Sequence, residues 1–210
     1  GEREFRLCWT DADIIQIGSD DGSYLRMDTT PVYRDCSAWY HIVVAMDTTQ
    51  ATDTNRMKLY VNNEQVTALG TTNYPAQNLD TAVNYTHVHD VGGSGTLSDT
   101  FDGYLAEVNF VDGTALTPAS FGETNADTGQ WQAKSASVTY GTNGFYLKFG
   151  NSAALGTDSS GNGNTYASTN LVATDQVGDG PKASDGGVGS TSAGGNFPTW
   201  NPLCYSPNSS

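Results

Sequence analysis

The stretch Phe101-Asp102-Gly103-Tyr104-Leu105-Ala106-Glu107-Val108-Asn109-Phe110 decides the reading of the fold. Tyr104, Ala106, Val108 and Phe110 fall on one side of a period-two pattern, and Leu105, Glu107 and Asn109 on the other. Successive side chains of a strand point to opposite faces of a sheet, so the pattern predicts a strand over 101–110 that closes on Asp112-Gly113. Glu107 then lies among apolar neighbours on a partly covered face. A carboxylate there is costly unless it is hydrogen-bonded, paired or bound to something. Just downstream, Thr117 as N-cap and Pro118 at the first helical position predict a short helical turn over 117–121, almost the only helical signal in the chain.

Upstream of this stretch the sequence reads as strands and turns. Phe5-Arg6-Leu7-Cys8-Trp9, Asp13-Ile14-Ile15-Gln16-Ile17 and Tyr24-Leu25-Arg26-Met27 are strand candidates, with Asp20-Asp21-Gly22 as a turn. Trp39 to Met46 is the longest apolar run, and its β-branched content predicts a buried central strand. Arg56 to Val61 alternates cleanly into Asn62-Asn63, a hairpin turn from which Glu64 to Thr67 returns. Thr86 to Val91 is a further strand candidate, leading into the Gly92-Gly93-Ser94-Gly95 loop. Short strands at this spacing with Gly and Asn turns predict an all-β, antiparallel sandwich or jelly roll.

Composition narrows the function classes. Of 210 residues only 37% are apolar and 15% charged, so Thr, Ser, Asn, Gly and Gln dominate the surface. Nine basic against 23 acidic residues give a net charge of −14. Nucleic acid is not expected as a partner, because the release of its counterions requires basic side chains and the chain is strongly acidic. Cations, neutral sugars and basic surfaces stay open, and the charge also serves solubility. No apolar run is long enough for membrane insertion. Three cysteines, Cys8, Cys36 and Cys204, make neither a disulfide framework nor a zinc site; free thiols are expected, with a Cys8–Cys36 bridge as the alternative.

After Phe149 the character changes. Eleven of the 24 glycines lie between Gly150 and Asn196, where Tyr166 is the lone aromatic residue. Such a Gly/Ser-rich segment does not bury enough apolar surface to offset its ordering entropy by itself. Neighbouring copies, or the chain's own sandwich, are expected to hold it. Phe197, Trp200, Pro202, Leu203 and Tyr205 restore an apolar patch at the end.

The ordered series Ala38 to Val44, Lys58-Leu59-Tyr60-Val61-Asn62-Asn63, Phe101 to Val108 and Ala115-Leu116-Thr117-Pro118 resembles the laminin-G-like branch of the concanavalin A-like lectin/glucanase superfamily. That branch shows a W-x-H-apolar strand, an L-Y-V-N-G hairpin and a closing F-x-G-x-I-x-E-V strand in this order; Asn63 stands where glycine is usual. Tyr140 to Phe149, Asp158 to Asn164 and Gly195 to Leu203 extend the resemblance to virion fibre proteins of tailed bacteriophages. The resemblance implies a concanavalin A-like jelly-roll sandwich over 1–122, a connecting segment with a strand over 123–149, and an extended Gly-rich arm over 150–210. Relatives carry strands before the position of Phe5, so the sandwich is expected to be incomplete at its N-terminus and to offer an edge to a partner. It further implies a non-enzymatic structural protein at the virion surface, in tail fibre or head decoration, assembled with copies of itself and other virion proteins and attaching to host surface polysaccharide. The alternatives are a carbohydrate-binding module or adhesin subunit, secreted or on a bacterial surface, and a purely structural capsid cement protein.

Candidate sites follow from residue chemistry. Calcium takes six to eight oxygen ligands; Glu107 with the oxygen-rich turn of Asp158, Asn162 and Asn164 forms one candidate structural Ca²⁺ set, the alternative for Glu107 being a hydrogen bond to backbone. Asp20 and Asp21 form a second oxygen-rich turn, equally readable as a solvated turn. His87 and His89 share a strand face that suits zinc or copper, although a third ligand is not visible. Tyr24, Tyr33, Tyr74 and Tyr85 lie near loops, where an exposed ring stacks on a pyranose; the alternative for each is a packing role. Glucanases of the superfamily use E-x-D-x-x-E on one strand to place acid and nucleophile about one bond. None of the five glutamates, Glu2, Glu4, Glu64, Glu107 and Glu123, begins that pattern, so the chain is expected not to be an enzyme.

Overall fold

The computed structural model describes residues 5–19, 24–93 and 100–177. Asp20 and Asp21, Cys204 and the apolar patch from Phe197 to Tyr205 lie outside them. The chain divides into two compact units, Gly1–Tyr85 with Thr114–Ala119 and Thr86–Gly113 with Ser120–Ser210. All paired strands are antiparallel, and the only helical elements among the described residues are short 3-10 turns.

The first unit is two sheets on one core. Strands β1 (Arg6–Trp9), β2 (Ile15–Gly18), β3 (Arg26–Thr29) and β7 (Leu69–Asn73) form one sheet in the order β1-β2-β3-β7. Strands β4 (Ile42–Met46), β5 (Met57–Val61) and β6 (Glu64–Gln65) form the other in the order β4-β5-β6. Period two dictates which side chains meet. Met57, Leu59 and Val61 turn inward from β5 and join Ile15, Ile17, Leu25 and Met27 in one buried cluster. Each such side chain contributes about 1.5–3 kcal/mol on leaving water. Asn62 and Asn63, at φ 49° and 74°, make the tight turn between β5 and β6. Both central residues of a type I′ hairpin need positive φ, and Asn tolerates it better than other side chains.

The outer face of the first sheet carries a polar network. Gln16 and Asp28 are cross-strand partners on β2 and β3 and are both buried. Arg26 Nε sits 3.0 Å from each oxygen of Asp28 and its Nη2 2.8 Å from Oδ2, while Gln16 Nε2 donates to Oδ1 at 3.1 Å. A planar guanidinium fork satisfies a buried carboxylate in this way. Arg56 organises the loop side of the second sheet: its guanidinium donates to the carbonyls of Gln50, Ala51 and Pro75 at 2.8, 2.8 and 3.0 Å.

The second unit is built on aromatic side chains. Strand β8 (Val108–Phe110) pairs with β11 (Phe145–Leu147), and β9 (Gly122–Thr124) forms a hairpin with β10 (Trp131–Ala133). Phe110 stacks on Phe145 at 5.5 Å between ring centroids, and Tyr166 meets Phe145 edge-on at 4.9 Å.

Several sequence expectations change here. The strand expected over 101–110 is reduced to Val108–Phe110, because Glu107 adopts φ 53°. A left-handed residue ends the pleat, and Phe101 and Leu105 before it are each 40% exposed. Residues 86–91 form no strand, and Val88 is 84% exposed. The apolar run at 39–46 gives strand only from Ile42, at the edge of its sheet, and the central position belongs to β5. Cys8 is a free thiol as expected, but Cys36 is disulfide-bonded, so the two do not pair with each other. The turn at Thr117 is a 3-10 turn over Pro118–Ser120.

Candidate functional site

The second unit gathers Glu107, Asn109, Tyr140, Tyr146, Asp158, Ser160, Asn162 and Asn164 about strands β8 and β11. The ladder sets Asn109 opposite Tyr146, so the polar side of β8 faces the tyrosines. The Tyr146 hydroxyl donates to Glu107 Oε2. The Tyr140 hydroxyl donates to Asn109 Oδ1 at 2.6 Å, and Asn109 Nδ2 returns to the Glu107 carbonyl at 2.8 Å. That last bond holds Glu107 in its left-handed conformation. The two tyrosine rings stack nearly parallel, 6.1 Å apart and 10° out of plane, with Lys148 Nζ 5.1 Å from the Tyr146 centroid.

Asp158 lies at the other end of Tyr146. Its Oδ1 accepts from the backbone N–H groups of Tyr146 and Ser160 at 2.9 and 2.8 Å, and its Oδ2 from the Ser160 hydroxyl and the Asn164 N–H at 2.8 and 2.9 Å. Burial pushes its carboxyl pKa up, but these donors outweigh burial and hold it below the ordinary value. The side chains of Asn162 and Asn164 reach back to the 141–144 turn. Asn162 Nδ2 donates to the carbonyls of Gly141 and Gly144 at 2.6 and 2.8 Å, and Asn164 Nδ2 to those of Thr142 and Gly144 at 3.1 and 2.9 Å. Only glycine suits this turn: Gly141 has φ 72°, and a Cβ on Gly144 would collide with the Tyr140 carbonyl. The described part of the arm, 150–177, is therefore held by the chain's own residues 140–149, with Gln176 Nε2 on the Phe149 carbonyl at 2.6 Å adding to the same attachment.

The phenols report the electrostatics. Burial raises the Tyr140 pKa to about 12, with the Glu107 and Asp158 charges adding to it. Burial, then the bond to Glu107, pushes Tyr146 higher still.

Beside this network an open cleft of about 610 Å³ is lined by residues 138–142 with Ser160 and Asn162. Tyr140 is half-buried in its lining, and Thr139, Thr142 and Asn162 are exposed.

The four residues expected to share calcium thus lie in one unit, tied through Tyr146 and the 141–144 turn. Glu107 accepts from the Tyr146 phenol, Asn162 and Asn164 give their Nδ2 groups to the 141–144 turn, and both Asp158 oxygens hold N–H and O–H donors. Among the described residues no group of three or more His, Cys, Asp or Glu is arranged to hold a metal ion. His87 and His89 are exposed, with His89 Nδ1 2.8 Å from the His87 carbonyl. Tyr24, Tyr33 and Tyr74 pack against the core of the first unit, and Tyr24 accepts the Ala82 N–H on its hydroxyl at 2.8 Å. Tyr85 is 53% exposed. Tyr140, Thr142 and Ser160 were not singled out as site residues in the sequence; the spacing of Asp158, Ser160, Asn162 and Asn164, every second residue about Gly161 and Gly163, marks Ser160, and no local pattern marks Tyr140 or Thr142.

No curated protein and no solved structure matches the chain. Residues 1–120 match the family Laminin_G_3, concanavalin A-like lectin/glucanases superfamily. With more than half of its 210 residues matched, the chain belongs to the concanavalin A-like lectin/glucanase superfamily.

Proposed function

We infer that the chain is a non-catalytic carbohydrate-recognition module, displayed on the surface of a virion as part of a fibre or decoration protein. Membership of the lectin/glucanase superfamily over residues 1–120 is the observation that carries the carbohydrate part. Two features support a binding rather than a hydrolytic role. No glutamate opens an E-x-D-x-x-E strand, and Glu107, on the closing segment, is committed to the Tyr146 hydroxyl. Glycoside hydrolysis needs two carboxyl groups facing one bond. The virion setting rests on the order of the sequence segments beyond the sandwich, 140–149 and 158–164 among them.

Glycan-array binding with the soluble chain tests the carbohydrate reading, and incubation with the bound oligosaccharides tests for cleavage. Selective retention of glycans without new reducing ends is expected. Absence of any glycan binding, or release of reducing sugar, defeats the reading. Mass spectrometry of purified particles tests the setting.

A further inference from the structure

We propose that the cleft formed by residues 138–142 with Ser160 and Asn162 is a binding site for an uncharged, polyhydroxylated ligand, a segment of neutral polysaccharide. The proposal rests on the carbohydrate-recognition reading and places the site outside the residues that match the superfamily. Three observations carry it. The cleft has about 610 Å³, within the roughly 300–1,000 Å³ of ordinary small-molecule sites. Its frame is fixed before any ligand arrives: Tyr140 is held by its hydroxyl bond to Asn109 and its stack on Tyr146, and the turn beneath it by four bonds from Asn162 and Asn164. A rigid frame lowers the ordering cost of binding. Finally, Thr139, Thr142 and Asn162 are exposed residues in the lining of the cleft. Hydroxyls that donate and accept beside an amide oxygen match the hydroxyl pattern of a sugar.

Charge selects the ligand class. The lining contains no Lys or Arg, and the Asp158 and Glu107 carboxylates act on Tyr140. Sulfated, phosphorylated or sialylated saccharides meet repulsion there.

The test uses the full chain with Thr139→Trp and Thr142→Trp, which fill the cleft from exposed positions and leave the hydrogen-bonded frame intact. Melting temperatures near wild type verify folding, and Thr139→Ala with Thr142→Ala give a non-bulky pair. Neutral and acidic oligosaccharides from the array are then titrated by calorimetry and saturation-transfer NMR. The proposal expects a neutral saccharide to bind wild type and to lose about tenfold or more in affinity with either Trp variant, with a smaller loss for the Ala pair. Neutral-glycan binding unchanged in both Trp variants overturns the cleft while leaving carbohydrate recognition standing. Binding confined to acidic glycans overturns the ligand class. Wild type that binds no glycan defeats the carbohydrate reading itself, and the cleft with it.

Discussion

Asp158→Ala is the substitution to which the second unit should be most sensitive for its size. The carboxylate accepts four hydrogen bonds, three from backbone N–H groups and one from Ser160. Intramolecular hydrogen bonds contribute roughly 0.5–1.5 kcal/mol each, and the neutral figure suits a side chain that keeps some contact with solvent. Removing all four then costs about 2–6 kcal/mol. Asp158→Asn keeps one acceptor oxygen and turns an NH₂ toward two donors, so about 2 kcal/mol is expected. A substitution at an ordinary surface residue stays within roughly 0.5 kcal/mol. Urea unfolding followed by the fluorescence of the four tryptophans, with calorimetry alongside, measures the difference, and two transitions are to be fitted separately if they appear. The pH dependence supplies an independent check. The folded pKa of Asp158 lies below its unfolded value of about 3.9, so its stabilisation is complete above that value and is lost as pH falls through the folded pKa. The gap between wild type and Asp158→Asn should therefore be full near neutrality and close in acid. An Ala variant within 0.5 kcal/mol of wild type, by the surface standard above, or a gap that persists undiminished in acid, refutes the role given to this carboxylate.

Four further outcomes follow from the same geometry. Spectrophotometric titration of the 11 tyrosines should leave Tyr140 and Tyr146 protonated in the folded protein when the exposed phenols have ionised; their stabilisation is full below about pH 10 and is lost as pH rises toward the folded values, so a single transition covering all the phenols of the folded chain contradicts the buried pair. Arg26→Ala should cost about 2–4 kcal/mol, under the roughly 3–5 kcal/mol of a fully buried pair, because Arg26 is 30% exposed while Asp28 is 8% exposed; a cost under 1 kcal/mol, the range of a surface pair, denies the network any weight. Arg56→Ala should speed amide exchange in residues 47–53 and 76–78, whose carbonyls or neighbours it holds, and unchanged exchange there counts against the clamp. Calcium and chelator should leave the melting temperature unchanged, since a cation at Asp158 must first displace four donors; a calcium-dependent rise shows that Asp158 releases them.

The sheet of the first unit was legible because its signal is local. Alternation in Met57 to Val61 and the Asn62-Asn63 pair each specify backbone within a few residues, and the ladder forms where they indicate. Strand β7 was missed for the converse reason: Leu69-Gly70-Thr71-Thr72-Asn73 has one apolar residue, and it is strand because β3 offers it an edge. The ladder there even gains an extra residue on β7 between the partners of Met27 and Thr29. A pairing decided by the partner leaves little trace in the segment itself.

The site shows the same division. Period two correctly put Glu107 and Asn109 on one side, yet it said nothing of the phenols that meet them 31 and 39 residues away. It also carried the strand too far, since Glu107 leaves β geometry at φ 53°. The two errors have one cause. Asn109 is bonded both to the Glu107 carbonyl and to Tyr140, so the distant aromatic pair fixes the side chain that in turn bends the backbone before β8. The requirement that this carboxylate find a partner was visible in the sequence. The partner is a buried tyrosine whose own backbone N–H is held by Asp158, which makes Glu107 the far end of a bracing network whose near end frames the cleft. Glu107 therefore acts on the cleft's frame through the rigidity of Tyr140 and Tyr146.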